Sequence, residues 1–174
     1  MRFDRSRSTS ILAAALIFIS AQADVSFAGT PLNIKKEAGV AALACLRLVE
    51  NHTTNPSELQ KHGYEKRNKK YVKSELNFPL IKIKPEVKVE ARTNRKFTSC
   101  SIRFSPLRRG QENGLYGSVK QVLEKHGYRQ AVAKDRRGRE KPVYVKGDIV
   151  LKTGGSLNTD YSTYSVHIYM ERDK

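Results

Sequence analysis

The chain has 174 residues, with 33 lysines and arginines against 17 acidic residues and a net charge of +16. This length suits one domain, and the excess of positive charge predicts an anionic partner or surface. Two lone cysteines without C-x-x-C spacing argue against a cysteine-rich metal site, and no apolar run after the first 28 residues is long enough to span a membrane.

The N-terminus has the pattern of a secretory signal peptide. Arg2, Arg5 and Arg7 precede an apolar run over 11–20, which is shorter than the roughly 20 residues of a membrane-spanning helix. Small residues follow, and cleavage fits after Ala23 or after Ala28. We predict a signal peptide over 1–28 and a single exported α+β domain over 29–174, periplasmic or secreted. A buried N-terminal helix is the alternative.

Two features of the mature domain follow from this prediction. The leader holds three basic and two acidic residues, so the mature domain keeps +15 of the charge. Cys45 and Cys100 are the only cysteines, and an even count in an exported chain predicts a disulfide. A metal site and a catalytic thiol are the rival interpretations.

The first half reads as helix and then strands. Apolar spacing predicts a helix over 37–50, and Asn55 or Ser57 is a candidate cap for a short helix ending at His62. Apolar and basic residues then alternate, which is typical of strands with one solvated face. The predicted strands are "YVKSEL", "PLIKIKPEVKVEAR" and 97–105.

The second half has the same order. A turn-rich joint over 105–114 precedes a helix, "GLYGSVKQVLEKH", for which Asn113 is the candidate cap. The strands that follow are "YRQAVA", "PVYVKGDIVLKTG" and "STYSVHIYME". Turns are predicted over 135–140 and 154–160, where charged residues or glycine, serine and asparagine cluster.

The tetrapeptide Lys-His-Gly-Tyr occurs twice, at 61–64 and 125–128. An ungapped offset of 64 also places Lys82 on Lys146 and aligns Cys100, Ile102 and Phe104 with alternate residues from Tyr164. We therefore predict an internal repeat with halves over about 33–106 and 107–174. The expected fold is α+β, with two similar helix-plus-antiparallel-sheet halves and helices packed on one sheet face.

This tandem helix-plus-sheet plan resembles that of secreted beta-lactamase inhibitor proteins, whose two similar halves form a concave binding surface. The resemblance is architectural and implies no contact residues here.

Each Lys-His-Gly-Tyr segment is interpreted as a helix stop. Glycine suits the left-handed residue after a helix, and Lys and His suit its negative end. The rival interpretation is a paired-histidine metal or catalytic site. No nucleotide-binding, serine-hydrolase or zinc-protease motif is present, and no cofactor, metal or catalytic residue is predicted. His167 on an exposed strand face is the weak exception.

Basic segments after each tetrapeptide are the candidate anion-binding residues, and the repeat places them in equivalent loops. They are Lys66, Arg67, Lys69, Lys70, Arg136, Arg137 and Arg139. The leading hypothesis is a non-enzymatic exported protein that binds an anionic envelope component; tyrosine spacing disfavours nucleic acid. The alternative is an inhibitor or envelope assembly factor with an acidic protein partner. The third is a hydrolase with an unrecognised site.

Overall fold

The first helix begins at a side-chain cap and buries an alanine-rich face. The structure is a computed structural model, and it describes residues 32–74, 84–135, 137–160 and 163–174. The side chain of Asn33 accepts a hydrogen bond of 3.0 Å from the backbone N–H of Lys36, which starts α1 at Ile34–Glu50. Ala38, Ala41 and Val49 of α1 are fully buried. The predicted signal peptide lies outside the described residues.

Two further helices and eight strands complete the described fold. The helices are α2 (Ser57–Lys61) and α3 (Leu115–Lys125). The strands are β1 (Glu65–Arg67), β2 (Lys70–Ser74), β3 (Glu86–Thr93), β4 (Phe97–Leu107), β5 (Arg129–Lys134), β6 (Glu140–Lys146), β7 (Ile149–Asp160) and β8 (Thr163–Asp173).

All eight strands form one antiparallel sheet in the order β1-β2-β3-β4-β8-β7-β6-β5. Strands β1–β4 therefore lie on one side and β5–β8 on the other, and the two sets meet only where β4 pairs with β8. Ile102 stands opposite Ile168 near the middle of that pairing. The predicted α+β class with antiparallel strands is confirmed.

The core lies between one face of this sheet and the helices. Cys100, Ile102 and Phe104 alternate along β4 on the buried face, and Ile168 and Met170 do the same on β8. The helix α1 packs against β3, β4 and β8, and α3 packs against α1. Residues between the buried positions, such as Arg103 and Tyr169, face away from the helices.

The predicted disulfide is present in the structure. Cys45 of α1 and Cys100 of β4 are bonded, with their Cα atoms 5.3 Å apart and both residues buried. The bond joins the main helix to β4, the strand of the first four that pairs with β8, across 55 residues of sequence.

Both Lys-His-Gly-Tyr segments end helices, as the sequence predicts. Gly63 has φ +79° and Gly127 has φ +85°, the left-handed region that glycine adopts without steric cost. The backbone N–H of each following tyrosine donates to the carbonyl of Leu59 or Leu123, at 3.0 Å in both cases. The two glycines thus turn the chain so that Tyr64 and Tyr128 are buried beneath the helices.

Several predicted boundaries are wrong. The predicted turn over 154–160 is the second half of β7, because its backbone pairs with β8 throughout. The predicted strand "PVYVKGDIVLKTG" is interrupted by a turn at Gly147, which has φ +53°. The joint begins later than predicted, since β4 continues to Leu107.

The predicted helix caps are also wrong. Pro56 precedes α2 and Gly114 precedes α3, and neither supplies a side-chain hydrogen bond. Within the predicted strand "PLIKIKPEVKVEAR", the strand covers Glu86–Thr93, and residues 79–83 lie outside the described residues.

Candidate anion-binding surfaces

The predicted basic segments form two hairpins at opposite edges of the sheet. Lys66 and Arg67 lie in edge strand β1, and Lys69 and Lys70 lie at its turn and in β2. Arg137 and Arg139 lie in the connection between β6 and the other edge strand, β5. Arg136 lies outside the described residues. Arg137 and Arg139 lie in a loop, as predicted. Most of the first group of cations lies in strands instead.

Acidic neighbours neutralise three of the predicted cations. Arg67 pairs with Glu65 at 3.0 Å, and Lys70 pairs with Glu90 at 3.6 Å. Arg139 pairs with Asp135 at 2.9 Å. Backbone N–H groups of Arg139 and Arg137 also donate to Asp135, and these contacts hold the pKa of that carboxyl below its usual value. The pairs leave Lys66, Lys69 and Arg137 as the predicted cations without an acidic partner in the described chain.

The hairpin between β3 and β4 lies between the two basic groups. On one side, a surface cavity of about 630 Å³ is lined by Lys66, Lys69 and Arg92. On the other side, a cavity of about 720 Å³ is lined by Arg95 and Lys96 of the hairpin turn together with Lys134. Both predicted basic segments therefore approach one hairpin, although they belong to opposite edges.

We call the exposed, unpaired cations along these two cavities the basic rim. Within the described residues, no acidic side chain forms an ion pair with any of them. The basic rim consists of Lys66, Lys69, Arg95, Lys96, Lys134 and Lys174.

Sequence reasoning missed Arg95, Lys96 and Lys174. The sequence feature that could have found Arg95 and Lys96 is the segment Thr93-Asn94, which separates two runs of alternating apolar and polar residues and so predicts a turn. The side chain of Asn94 accepts hydrogen bonds from the backbone N–H groups of Lys96 and Phe97, which makes a tight turn and presents the intervening cations. Lys174 joins them because its backbone N–H donates to the carbonyl of Lys96 at 2.9 Å.

The sheet face opposite the helices carries a second polar feature, which we call the central groove. It is a cavity of about 280 Å³ in which residues from β2, β3, β4, β7 and β8 meet. One row across the strands consists of Lys88, Arg103, His167 and Ser156, each directly opposite the next.

The neighbouring row of the central groove contains a half-buried carboxylate. Glu90 stands opposite Lys70 on one side and Ser101 on the other. Burial favours the neutral form of Glu90, but Arg92 and Lys70 outweigh that effect and hold its pKa below the usual value. Glu90 is therefore ionised at neutral pH and already paired.

Among the described residues, no hydrogen bond joins a histidine to a carboxylate. His167 and Glu90 line the same cavity, but no hydrogen bond joins them. The Nδ1 atom of His126 lies 2.8 Å from the carbonyl oxygen of Val122, within its own helix end. Among the described residues, no three His, Cys, Asp or Glu side chains cluster as metal ligands would. No described helix combines the length and apolar character needed to cross a membrane.

Comparisons with protein families, with curated proteins and with solved structures find no match to this chain. The architectural resemblance to secreted beta-lactamase inhibitor proteins therefore has no support beyond the general plan of helices and sheet.

Proposed function

We propose that this chain is an exported, non-enzymatic protein that binds an anionic envelope component through the basic rim. The observation that carries the proposal is the row of six exposed cations without acidic partners around the β3–β4 hairpin. Cations that lack intramolecular partners keep their full charge available for an external anion. The phosphate groups of lipopolysaccharide or of anionic phospholipid are the favoured partners.

Removing three rim cations tests this proposal. The variant is Lys66→Gln, Lys69→Gln, Lys96→Gln, and the control is Lys36→Gln, Lys61→Gln, Lys125→Gln, which removes the same charge from the helices. Each cation near an anionic membrane surface contributes about 1 kcal/mol, so the rim variant should bind roughly 100-fold more weakly. The control should keep most of the affinity.

Binding of the mature protein to anionic vesicles, lipopolysaccharide and DNA is measured by co-sedimentation between low and high salt. Affinity for the favoured partner should fall as salt rises, because salt screens surface charges. An absence of salt-sensitive binding to all three polyanions, or equal losses in both triple variants, would refute the proposal.

An acidic protein partner is the second candidate, and one surface favours it. A cavity of about 460 Å³ beside the start of α3 is lined by Tyr116, Leu157 and Val166. Leu157 is 53% exposed and Tyr116 is 43% exposed. Exposed apolar side chains next to charge are typical of protein contacts. A pull-down from envelope extract, with the rim variant as control, separates this candidate from a lipid or lipopolysaccharide partner.

We also infer that the two halves derive from one duplicated unit. The Nζ of Lys73 lies 5.6 Å from the ring centroid of Tyr64, and the Nζ of Lys146 lies 5.3 Å from that of Tyr128. Both lysines end a Tyr-Val-Lys segment, at 71–73 and 144–146. The two matching lysine–tyrosine contacts support a repeat in which Lys146 corresponds to Lys73. The spacing of such a repeat varies along the chain, whereas the fixed offset matched Lys146 with Lys82. Lys82 lies outside the described residues.

A further inference from the structure

The first row of the central groove places two cations and a histidine side by side. Lys88 stands opposite Arg103, and Arg103 stands opposite His167. Like charges directly opposite one another destabilise a strand pair. Glu86 pairs with Lys88 and compensates for one of the charges. Arg103 is exposed and has no acidic partner among the described residues, so its guanidinium faces the groove unneutralised.

Small residues create the depression beside Arg103. Ser101 and Ser156 line its floor, and Gly154 stands opposite Tyr169 in the adjoining row. A Cβ atom at Gly154 would lie 2.5 Å from the Tyr169 ring, so the ring rests directly on the glycine backbone. Ser101, which stands opposite Tyr169 on the neighbouring strand β4, lines the groove, whereas Tyr169 does not.

We propose that the central groove binds a small sugar that carries an oxyanion, either a phosphate or a carboxylate. The guanidinium of Arg103 can donate two parallel hydrogen bonds to such a group. Ser101, Ser156 and Asn158 supply donors and acceptors for sugar hydroxyls. The exposed part of Tyr169, at 40%, offers an apolar surface beside them. None of the basic-rim residues lines this groove, so the inference does not rest on the proposed function.

Titrations followed by amide chemical shifts test this inference. The probes are glucose 6-phosphate, glucuronate and glucose, added to the mature wild-type protein. At least one anionic sugar should bind and shift the groove amides of β4 and β8, whereas glucose should bind far more weakly. Comparison of the two anionic probes decides whether the site takes a phosphate or a carboxylate.

Two arginine variants locate the site. Arg103→Gln should weaken binding by about tenfold to hundredfold, as expected for the loss of a charged hydrogen-bonding partner. Arg95→Gln is the control, because Arg95 is likewise exposed and forms no ion pair among the described residues, but it does not line the groove. The Lys66→Gln, Lys69→Gln, Lys96→Gln variant should leave sugar binding unchanged.

Three outcomes would overturn the inference: no shift with either anionic sugar at 10 mM (about the weakest affinity of interest), equal binding of glucose, or equal weakening by both arginine variants. Loss of polyanion binding in the rim variant with sugar binding intact would show that the two surfaces act separately.

Discussion

Tyr64 and Tyr128 occupy the same place in the two Lys-His-Gly-Tyr segments but have different hydroxyl environments. The hydroxyl of Tyr128 donates to Oε1 of Glu50 at 2.8 Å, and burial together with that carboxylate raises the pKa of Tyr128. Tyr64 is also buried, and burial and the nearby Glu37 carboxylate raise its pKa, yet the hydroxyl and that carboxylate do not reach the geometry of a hydrogen bond. The two tyrosine hydroxyls therefore contribute differently to the stability of the fold.

We expect Tyr128→Phe to lower the free energy of unfolding by about 1.5 kcal/mol, because a hydrogen bond to a charged acceptor is lost. Tyr64→Phe should change it by less than about 0.5 kcal/mol, since it removes a buried hydroxyl that has no partner. Urea unfolding of both variants measures the difference. Equal losses would contradict the assignment of these two environments.

The sequence could predict the glycine and tyrosine of each helix stop, because that chemistry is local to a few residues. It could not predict which lysine covers each tyrosine. Lys73 and Lys146 lie 9 and 18 residues beyond Tyr64 and Tyr128, and the contact depends on how β1–β2 and β5–β6 turn back. A match of residue type at one fixed offset cannot detect hairpins of unequal length.

Among the elements, β7 shows how pairing overrides local preference. The segment 154–160 contains two glycines, a serine and an asparagine, which favour a turn. In the sheet, Gly154 instead accommodates the ring of Tyr169 from the partner strand, and Gly155 lies against the backbone of β8. A glycine that makes room for a neighbouring strand cannot be distinguished from a turn glycine by sequence alone.

The disulfide links α1 covalently to β4. We expect the double variant Cys45→Ala, Cys100→Ala to lose about 2–4 kcal/mol of unfolding free energy, since the bond restricts the unfolded chain. A shift in the urea midpoint measures this loss. Reductant should lower the midpoint of the wild type and leave the variant unchanged. Two free thiols in the mass spectrum of non-reduced protein would contradict the disulfide.

Across the whole molecule, the two sets of four strands depend on each other. The second set contributes β8, whose Ile168 and Met170 pair with β4 of the first. The helix α3 packs on α1, which also belongs to the first half. Composition and periodicity predicted the α+β class, but the β4–β8 pairing joins residues far apart in sequence and has no local signature. The central groove spans this pairing, so the sequence could not predict that its residues lie together.

We expect the isolated fragment 107–174 to lack a cooperative urea transition, because a chain of about 70 residues is marginal even with a complete core. Mixing it with fragment 29–106 should restore the far-ultraviolet circular dichroism of the intact mature chain. A cooperative transition in 107–174 alone would contradict this dependence.

Among the described strands, β1 and β5 are the edges of the sheet, and each has one side that no described strand pairs with. An open sheet edge is a template for pairing with another copy, and charged residues on edge strands oppose such pairing. Lys66 stands on one edge, and Arg129 and Lys134 stand on the other. When two copies meet edge to edge, their cations repel each other. Part of the high positive charge therefore protects the protein against self-association, independently of any ligand that it binds.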